Sequence, residues 1–319
     1  MSETFKPGRD PSHQLKPASK SSIFEDLDMV IVALLVIVAA LYVLLSPTKK
    51  IAAAAKTEAP RKTGSKRRAR PPEPFGSINE VQAAIRKEGL ESCNLIMAID
   101  FTKSNQWNGA ATFGGRSLHD VSSPDEENPY QRVMAVVART LEPFDDDHVI
   151  PTFGFGDVET KANDCFPFYP DRHCIGLMDV LNRYNQFAGA VQMSGPTSFA
   201  PAIRKAIEIV KEHQCFHLLV IIADGQVDRR EETMKAIVDA SRYPLAIVAI
   251  GVGDGPWDDL VQFDDDIPDR EFDNFQFVDF HAVEREAMES AQPVEPQFAM
   301  ATLMELPAQY KSLKQQNKI

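Results

Sequence analysis

The sequence has 319 residues, of which 44% are hydrophobic and 25% charged, with a formal net charge of −12. This composition is ordinary for a globular protein and excludes collagen-like, wholly disordered and multi-spanning membrane proteins. Four cysteines are too few for a secreted scaffold held together by disulfides. The length is sufficient for one large or two medium domains with a hydrophobic core.

Charge is distributed unevenly along the chain. Residues 1–74 carry 13 of the 34 basic and 7 of the 46 acidic side chains, a net of +6. Residues 75–319 therefore hold 21 basic and 39 acidic side chains, a net of −18. Because nucleic-acid binding needs a basic surface, we expect no nucleic-acid partner for a domain this acidic.

An uncharged apolar run, Met29–Leu45, interrupts the polar N-terminal segment. Its length lies at the short end of the transmembrane range, about 17–25 residues. We therefore expect a single transmembrane helix over residues 29–46, after a disordered tail of residues 1–28. A cleaved signal peptide is the main alternative, but it requires a basic segment before the apolar run, whereas acidic residues lie there.

Basic residues indicate the orientation of this helix. Nine Lys and Arg residues lie between Lys49 and Arg70, against four before the apolar run. Since basic flanks remain in the cytosol, we expect the C-terminal domain to be cytosolic. Residues 47–76 are interpreted as a basic, flexible linker that contacts anionic lipid. The endoplasmic reticulum and the outer mitochondrial membrane both suit such a span.

From residue 77 onward, helical patterns alternate with short apolar runs. Ser77 and Glu80 resemble a capping box, which predicts a helix that ends near Lys87. Five apolar runs predict strands, at Asn94–Asp100, Val149–Phe155, Phe216–Ala223, Pro244–Val252 and Gln276–Phe280. Further helices are expected between the third and fourth strands, at the end of the chain, and at Tyr130–Leu141, Gly176–Phe187 and Phe199–Glu212.

This alternation predicts the fold class. Continuous apolar strands separated by helices indicate an α/β domain with a doubly wound, mostly parallel sheet and helices on both faces. We place this domain at residues 77–312, followed by a short tail of residues 313–319. In such folds the functional edge is at the carboxyl ends of the strands.

Polar side chains follow the predicted strands in a pattern suited to a metal ion. Asp100 ends the first strand and opens an Asp-x-Thr-x-Ser segment with Thr102 and Ser104. Thr197 precedes a predicted helix, and Asp224 follows the third strand. Oxygen ligands from these five residues would suit a hard divalent cation. The pentapeptide alone also fits a helix cap, and only the combination favours a metal site.

Several segments are longer and more specific than these motifs, among them GLESCNLIMAIDFTKSN, GRSLHD, IPTFGFGD, GPTSFAP, VIIADGQV and FDNFQF. They resemble the copine-type von Willebrand factor A domain, in particular that of plant RING-finger ubiquitin ligases, over about residues 77–312. The resemblance implies a Rossmann-like fold with a metal-ion-dependent adhesion site. It makes Thr102, Ser104 and Thr197 direct ligands or near-ligands, while Asp100 and Asp224 bind directly or through water.

The resemblance also implies a function. A bound ion would accept an acidic residue of a protein partner, so we predict a non-enzymatic protein-interaction module with no catalytic residues. Mg²⁺ suits a compact octahedral oxygen site, and Ca²⁺ and Mn²⁺ are alternatives. A ubiquitin-pathway component, acting either as a ligase adaptor or as a ligase-like protein with a RING-bearing partner, is the second hypothesis. A phospholipid-binding scaffold is the third.

The chain departs from its resembled family in two respects. A RING finger needs eight Cys and His ligands in paired spacing, and this sequence has no Cys-x-x-Cys pair. We therefore do not expect it to transfer ubiquitin by itself. Residues 1–74 are also too short for the two C2 domains that recruit animal copines to membranes. The predicted membrane anchor would replace this recruitment by a permanent attachment.

Three other features have simpler explanations than a binding site. The Cys165–Cys174 segment has two cysteines and a histidine, but it lacks the spacing and the fourth ligand of a zinc site. Asp157 follows a strand and is a minor candidate for orienting water near the ion. Trp107 and Trp257 are interpreted as packing residues, although Trp107 lies close to the predicted site.

Overall fold

A computed structural model of the chain describes residues 75–123 and 125–319. The predicted tail, the apolar run Met29–Leu45 and all but the last two residues of the predicted linker lie outside these described residues. Within the two described ranges, no helix has the length and apolar character needed to cross a membrane.

Helices and strands alternate through the described part of the chain. The α-helices are α1 Ile78–Lys87, α2 Pro129–Leu141, α3 Gly176–Phe187, α4 Ala200–His213, α5 Arg230–Ala240, α6 Asp258–Asp265, α7 Phe280–Glu289, α8 Val294–Leu303 and α9 Leu306–Gln315. The strands are β1 Asn94–Asp100, β2 Val149–Ile150, β3 Thr152–Phe155, β4 Phe166–Pro167, β5 Cys174–Ile175, β6 His217–Ala223, β7 Leu245–Gly251 and β8 Phe275–Asp279. Short 3-10 helices are at Lys103–Gln106, Glu142–Phe144 and Ala188–Ala190.

Six strands form the central sheet, in the order β4-β3-β1-β6-β7-β8. Strands β3, β1, β6, β7 and β8 are paired in parallel, and the short edge strand β4 is antiparallel to β3. The chain adds β3 on one side of β1 and β6 on the other, so the strand order reverses between β1 and β6. The predicted α/β class and mostly parallel sheet are confirmed.

Helices cover both faces of the sheet, which explains why its strands are apolar throughout. Along β1, Leu95, Met97 and Ile99 pack into the core that α1, α2, α3, α7, α8 and α9 complete. Ile96 and Ala98 pack on the opposite face, against α4, α5 and α6. A strand between two helical layers has no solvent side, and the usual alternation of apolar and polar residues is therefore lost.

Helix α1 begins where the sequence predicts. The Ser77 hydroxyl accepts the backbone N–H of Glu80 at 3.4 Å. The Glu80 carboxylate accepts the N–H of Gly76 at 2.8 Å, one residue before the position that a capping box requires. The predicted cap is thus present in a shifted form. It satisfies N–H groups that the first helical turn leaves without intrahelical partners.

Several elements differ from the sequence prediction. The predicted strand Val149–Phe155 is divided at Pro151, which has no N–H for a strand ladder. Its first part, β2, pairs instead with β5 in a separate antiparallel sheet. The short acidic helix α6 and the two-residue strands β4 and β5 were not predicted. Helix α9 continues past the predicted domain boundary at residue 312, because Leu313 is buried in the core.

Candidate metal site

Two buried carboxylates lie at the ends of neighbouring parallel strands. Asp100 is the last residue of β1, and Asp224 directly follows β6. Because the two strands are paired in parallel register along their length, both carboxylates lie at the same edge of the sheet. Their exposed fractions are 0% and 2%. This edge is also where the strand order reverses, the position at which open α/β sheets form a ligand crevice.

A turn after β1 connects the two carboxylates through hydrogen bonds. The Thr102 N–H donates to Asp100 Oδ1 at 2.7 Å. The hydroxyl oxygens of Thr102 and Ser104 are 3.1 Å apart, and Ser104 Oγ donates to Asp224 Oδ1 at 3.0 Å. The structure therefore brings four of the five predicted ligands into one hydrogen-bonded group.

Thr197 reaches the same edge on a separate loop. Thr102 and Ser194 form an isolated parallel β-bridge, and the Lys103 N–H donates to the Ser194 carbonyl at 2.7 Å. Further along the loop, the Thr197 N–H donates to Asp228 Oδ2 at 2.8 Å. The loop is thus fixed between the Thr102 turn and the segment that follows β6, and Thr197 itself is buried.

The end of β3 approaches this turn so closely that glycine is required there. Gly156 has a φ of +83°, and a Cβ atom at this position would lie 2.4 Å from Thr102 Cγ2. A larger residue would displace the Thr102 turn. The neighbouring Asp157 caps its own turn, since its Oδ1 accepts the Thr160 N–H at 2.9 Å.

The environment of the two carboxylates opposes their charge. Asp100 Oδ2 and Asp224 Oδ2 are buried and have no hydrogen-bond partner among the described residues. Burial raises the pKa of Asp100 well above its usual range, and the charge of Asp224 raises it further. Burial also raises the pKa of Asp224, against the opposing effect of hydrogen bonds from Ser104 and Asn108. A divalent cation would pair both free oxygens and offset this repulsion.

The donor set fits a hard divalent cation, because it consists of two carboxylates and three hydroxyls. In the described ranges, no group of three or more His, Cys, Asp or Glu side chains is arranged to hold an ion. The cysteines of the Cys165–Cys174 segment are free thiols. The candidate site therefore differs from an acidic cluster in that neutral hydroxyls outnumber its carboxylates.

Two residues that the sequence analysis missed help to hold the site together. The Asn108 amide donates to the backbone oxygens of Asp224 and Gly255, the second at 2.9 Å. Asp228 accepts the Thr197 N–H, and its charge adds to the burial and the Asp224 charge that raise the pKa of Asp100. The position of Asp228, four residues after Asp224, was a usable signal. Nothing in the sequence distinguishes Asn108 from other loop asparagines.

A buried histidine, also missed, lies behind the site. His119 stacks between Phe101 and Tyr130, with ring centroids 4.4 Å and 4.0 Å away. Its Nε2 lies 2.7 Å from the Asp100 carbonyl oxygen, which only accepts, so Nε2 carries the proton. Its Nδ1 accepts from the Tyr184 hydroxyl at 2.7 Å. The ring is therefore neutral, and burial lowers its pKa to about 3.

The hydrogen-bond network continues from His119 to two helices. Tyr184 lies in α3, and its hydroxyl accepts from the Asn128 amide at 3.2 Å. Asn128 is the N-cap of α2, where it forms a full capping box with Gln131. Tyr130, in the first turn of α2, donates to Asn105 Oδ1 at 2.7 Å. The end of β1 is thus connected to the start of α2 and to the last turn of α3, both distant from it in sequence.

Known relatives match most of the chain. Residues 117–319 match the family model described as Copine. The E3 ubiquitin-protein ligase RGLG3 of Arabidopsis thaliana is 48% identical over 258 residues, which are 76% of this chain and 70% of that protein. Copine family protein 2 of Caenorhabditis elegans is 47% identical over 245 residues, 76% of this chain and 3% of that protein.

The chain spans 53% to 70% of the length of the curated plant relatives that it matches. Among solved structures, the manganese-loaded Plasmodium vivax TRAP protein covers 64% of this chain and 74% of its own, with 13% identity and a TM-score of 0.42. A TM-score of this size gives no support to the metal ligands named above. The candidate site is inferred from the contacts within this chain alone.

Replacing His119 with phenylalanine tests the network, because the ring stacking is kept while both nitrogens are lost. The Tyr184 hydroxyl and the Asp100 carbonyl each lose a partner, so urea unfolding at pH 7 should show a loss of about 1–3 kcal/mol. Below about pH 6.5, His119 binds a proton in the unfolded wild type but not in the folded protein. The wild type therefore becomes less stable as the pH is lowered. The penalty of His119→Phe should therefore shrink by about 2 kcal/mol between pH 7 and pH 5.

The control is the same substitution at an exposed histidine. His173 lies on the surface, and His173→Phe should change the free energy of unfolding by less than about 0.5 kcal/mol at pH 7. A penalty for His119→Phe that is independent of pH would show that His119 is not held neutral in the folded protein.

Proposed function

Because the chain belongs to the copine family, we propose that its C-terminal domain binds a divalent cation and captures protein partners through it. The observation that carries this proposal is the pair of buried carboxylate oxygens on Asp100 and Asp224 that have no hydrogen-bond partner in the described part of the chain. The residues that would hold the ion are Asp100, Thr102, Ser104, Thr197 and Asp224. We propose Mg²⁺ as the ion, with Ca²⁺ and Mn²⁺ as alternatives.

The neutral ligands explain why such a site would bind partners. Hydroxyls from Thr102, Ser104 and Thr197 would leave the ion with more positive charge than an all-carboxylate site. When bound, the ion would supply a position for an acidic side chain of a protein partner. The remainder of the domain repels such a partner, because residues 75–319 carry a net charge of −18. Partner binding should therefore depend strictly on the ion.

We propose that this module is not an enzyme, with a ubiquitin-pathway role as the second candidate. The second candidate is supported by the names of the relatives RGLG3 and RGLG5, both E3 ubiquitin-protein ligases. Burial raises the pKa of Cys174 to about 11 and that of Cys165 to about 12, so these thiols are not activated nucleophiles. The given sequence contains no Cys-x-x-Cys pair for a RING finger. A ubiquitin-pathway role would therefore be that of a ligase adaptor, or of a ligase-like protein that acts with a RING-bearing partner.

We further propose that the run Met29–Leu45 anchors the domain on the cytosolic face of a membrane. This proposal rests on the sequence alone, through the uncharged run and the nine basic residues between Lys49 and Arg70. The basic linker would contact anionic lipid, and the acidic domain would be repelled from the same surface. A phospholipid-binding scaffold is the weaker alternative for this segment.

Replacing Asp224 with asparagine tests the ion site. The amide keeps the shape of the side chain but removes one charge, so the Kd for Mg²⁺ or Mn²⁺ should rise at least about tenfold in calorimetric titration. The thermal midpoint in EDTA should be unchanged or higher, because the repulsion with Asp100 is lost. Asp269→Asn, at an exposed loop position, removes the same charge and should leave the titration unchanged. An unaltered titration for Asp224→Asn would refute the site.

Reconstitution tests the non-enzymatic assignment. The purified chain is incubated with ubiquitin, ATP and the ubiquitin-activating and -conjugating enzymes. We expect no ubiquitin conjugates above a reaction without the chain, since neither RING ligands nor an activated thiol is available. Robust conjugation with no other ligase present would overturn the assignment.

Protease accessibility tests the proposed orientation. The chain is expressed in cells, and protease is added to intact microsomes or mitochondria. We expect the domain to be digested without detergent, because it would lie on the cytosolic face. Protection until detergent is added would show the opposite orientation, and recovery of the chain in the soluble fraction would refute the anchor.

A further inference from the structure

Trp107 is exposed beside the candidate metal site. Its side chain is 58% exposed, although a tryptophan has a large apolar surface to bury. It directly follows the 3-10 helix that begins after Thr102, and it lies three residues from Ser104. The interpretation of Trp107 as a packing residue was therefore wrong.

The other tryptophan of the chain, Trp257, is packed against neighbouring residues and serves as a comparison. Trp257 contacts Phe277, with ring centroids 5.6 Å apart. It also lies so close to Gly251 that a Cβ atom there would be 2.7 Å from the Trp257 ring. Trp107 has no comparable ring contact within the described ranges. Its exposure is thus specific to its position rather than common to both tryptophans.

The backbone that carries Trp107 is held firmly. The Trp107 N–H donates to the Ser104 carbonyl at 3.0 Å, and the next residue, Asn108, accepts the Asp254 N–H at 2.8 Å. The Asn108 side chain also bonds to the Asp224 carbonyl. A ring presented by an ordered segment loses less conformational entropy on binding than one on a free loop.

A second exposed apolar side chain follows β3, on the other side of β1 from Asp224. Val158 is 45% exposed and follows the end of β3, the neighbour of β1 on the side away from β6. Its N–H donates to the Gln192 carbonyl at 2.9 Å, which fixes its backbone. Trp107, in contrast, is joined through Asn108 to the ends of β6 and β7. The backbone positions of Trp107 and Val158 therefore lie on opposite sides of the strand ends that carry Asp100 and Asp224.

We propose that Trp107 and Val158 form an apolar rim that selects acidic segments of partner proteins by the residues next to the acid. The segment it fits has one acidic residue with an aliphatic or aromatic neighbour. This inference rests on the proposed function, because the ion holds the acidic residue.

The negative charge of the domain favours a partner segment with a single acidic residue over one with several. Each additional carboxylate would be repelled by a domain with a net charge of −18, whereas an apolar neighbour gains contact area without that repulsion. Exposed tryptophans are frequent binding hot spots for the same reason, since they bury a large apolar surface in one contact.

A displayed library of random heptapeptides tests the rim. The full chain in detergent is used as bait in Mg²⁺ and in EDTA, and peptides specific to Mg²⁺ are sequenced. We expect enrichment of Asp or Glu together with Leu, Ile or Phe within two positions of the acid. With Trp107→Ser as bait, Asp and Glu should stay enriched, while the enrichment of apolar residues next to the acid should fall at least threefold. Val158→Ser should cause a smaller loss.

Met288→Ser is the matched control, because this side chain in α7 is 63% exposed but lies outside the rim. It should leave both enrichments unchanged. For a selected peptide measured by fluorescence polarisation, Trp107→Ser should raise the Kd about tenfold, without altering Mg²⁺ binding in calorimetry.

Three outcomes overturn the rim. They are apolar enrichment that survives Trp107→Ser, acid enrichment without any apolar preference, and Mg²⁺ binding without Mg²⁺-dependent peptides. If calorimetry shows no binding of a divalent cation to the wild type, the proposed function itself fails, and the rim fails with it. The calorimetric arm thus separates the two failures.

Discussion

The arrangement of this domain around its candidate site depends on the repulsion between two buried carboxylates. Asp100 and Asp224 end adjacent strands, and burial with the neighbouring charge raises the pKa of Asp100. The Thr102 N–H and the Ser104 hydroxyl each donate to one oxygen of a carboxylate. The other oxygen of each carboxylate has no partner within residues 75–123 and 125–319. A domain that kept this pair for stability alone would be at a disadvantage, because hydrophobic residues of similar size pack more favourably. The pair is the observation on which the proposed cation site rests.

The remaining contacts around the site hold this arrangement in place from several directions. His119 binds the Asp100 carbonyl from behind and is itself fixed by Tyr184 of α3. Gly156 allows the end of β3 to reach Thr102. Since these residues come from separate elements, the positions of the hydroxyls depend on the packing of the whole parallel sheet and its helices.

The acidic character of the domain complements the proposed role of the ion. A net charge of −18 over residues 75–319 repels acidic partners at a distance, so a bound cation would be the local exception. Trp107 and Val158 are both exposed, and in the proposed rim they would add apolar contact where charge attraction is weak. Selection would then come from the combination of one acid and its neighbours rather than from overall charge.

The sequence by itself determined the element types and the residues that end the strands. Continuous apolar runs predicted buried parallel strands such as β1, because an unbroken apolar run indicates a strand that is buried on both faces. Asp100 and Asp224 were found as the first polar residues after these runs. Pro151 and the short α6 escaped this reasoning. Only the tertiary structure decided that β1 and β6 are neighbours, that His119 lies behind Asp100, and that Trp107 is exposed. Strand pairing and loop exposure arise from contacts between residues distant in the chain, which no local pattern encodes.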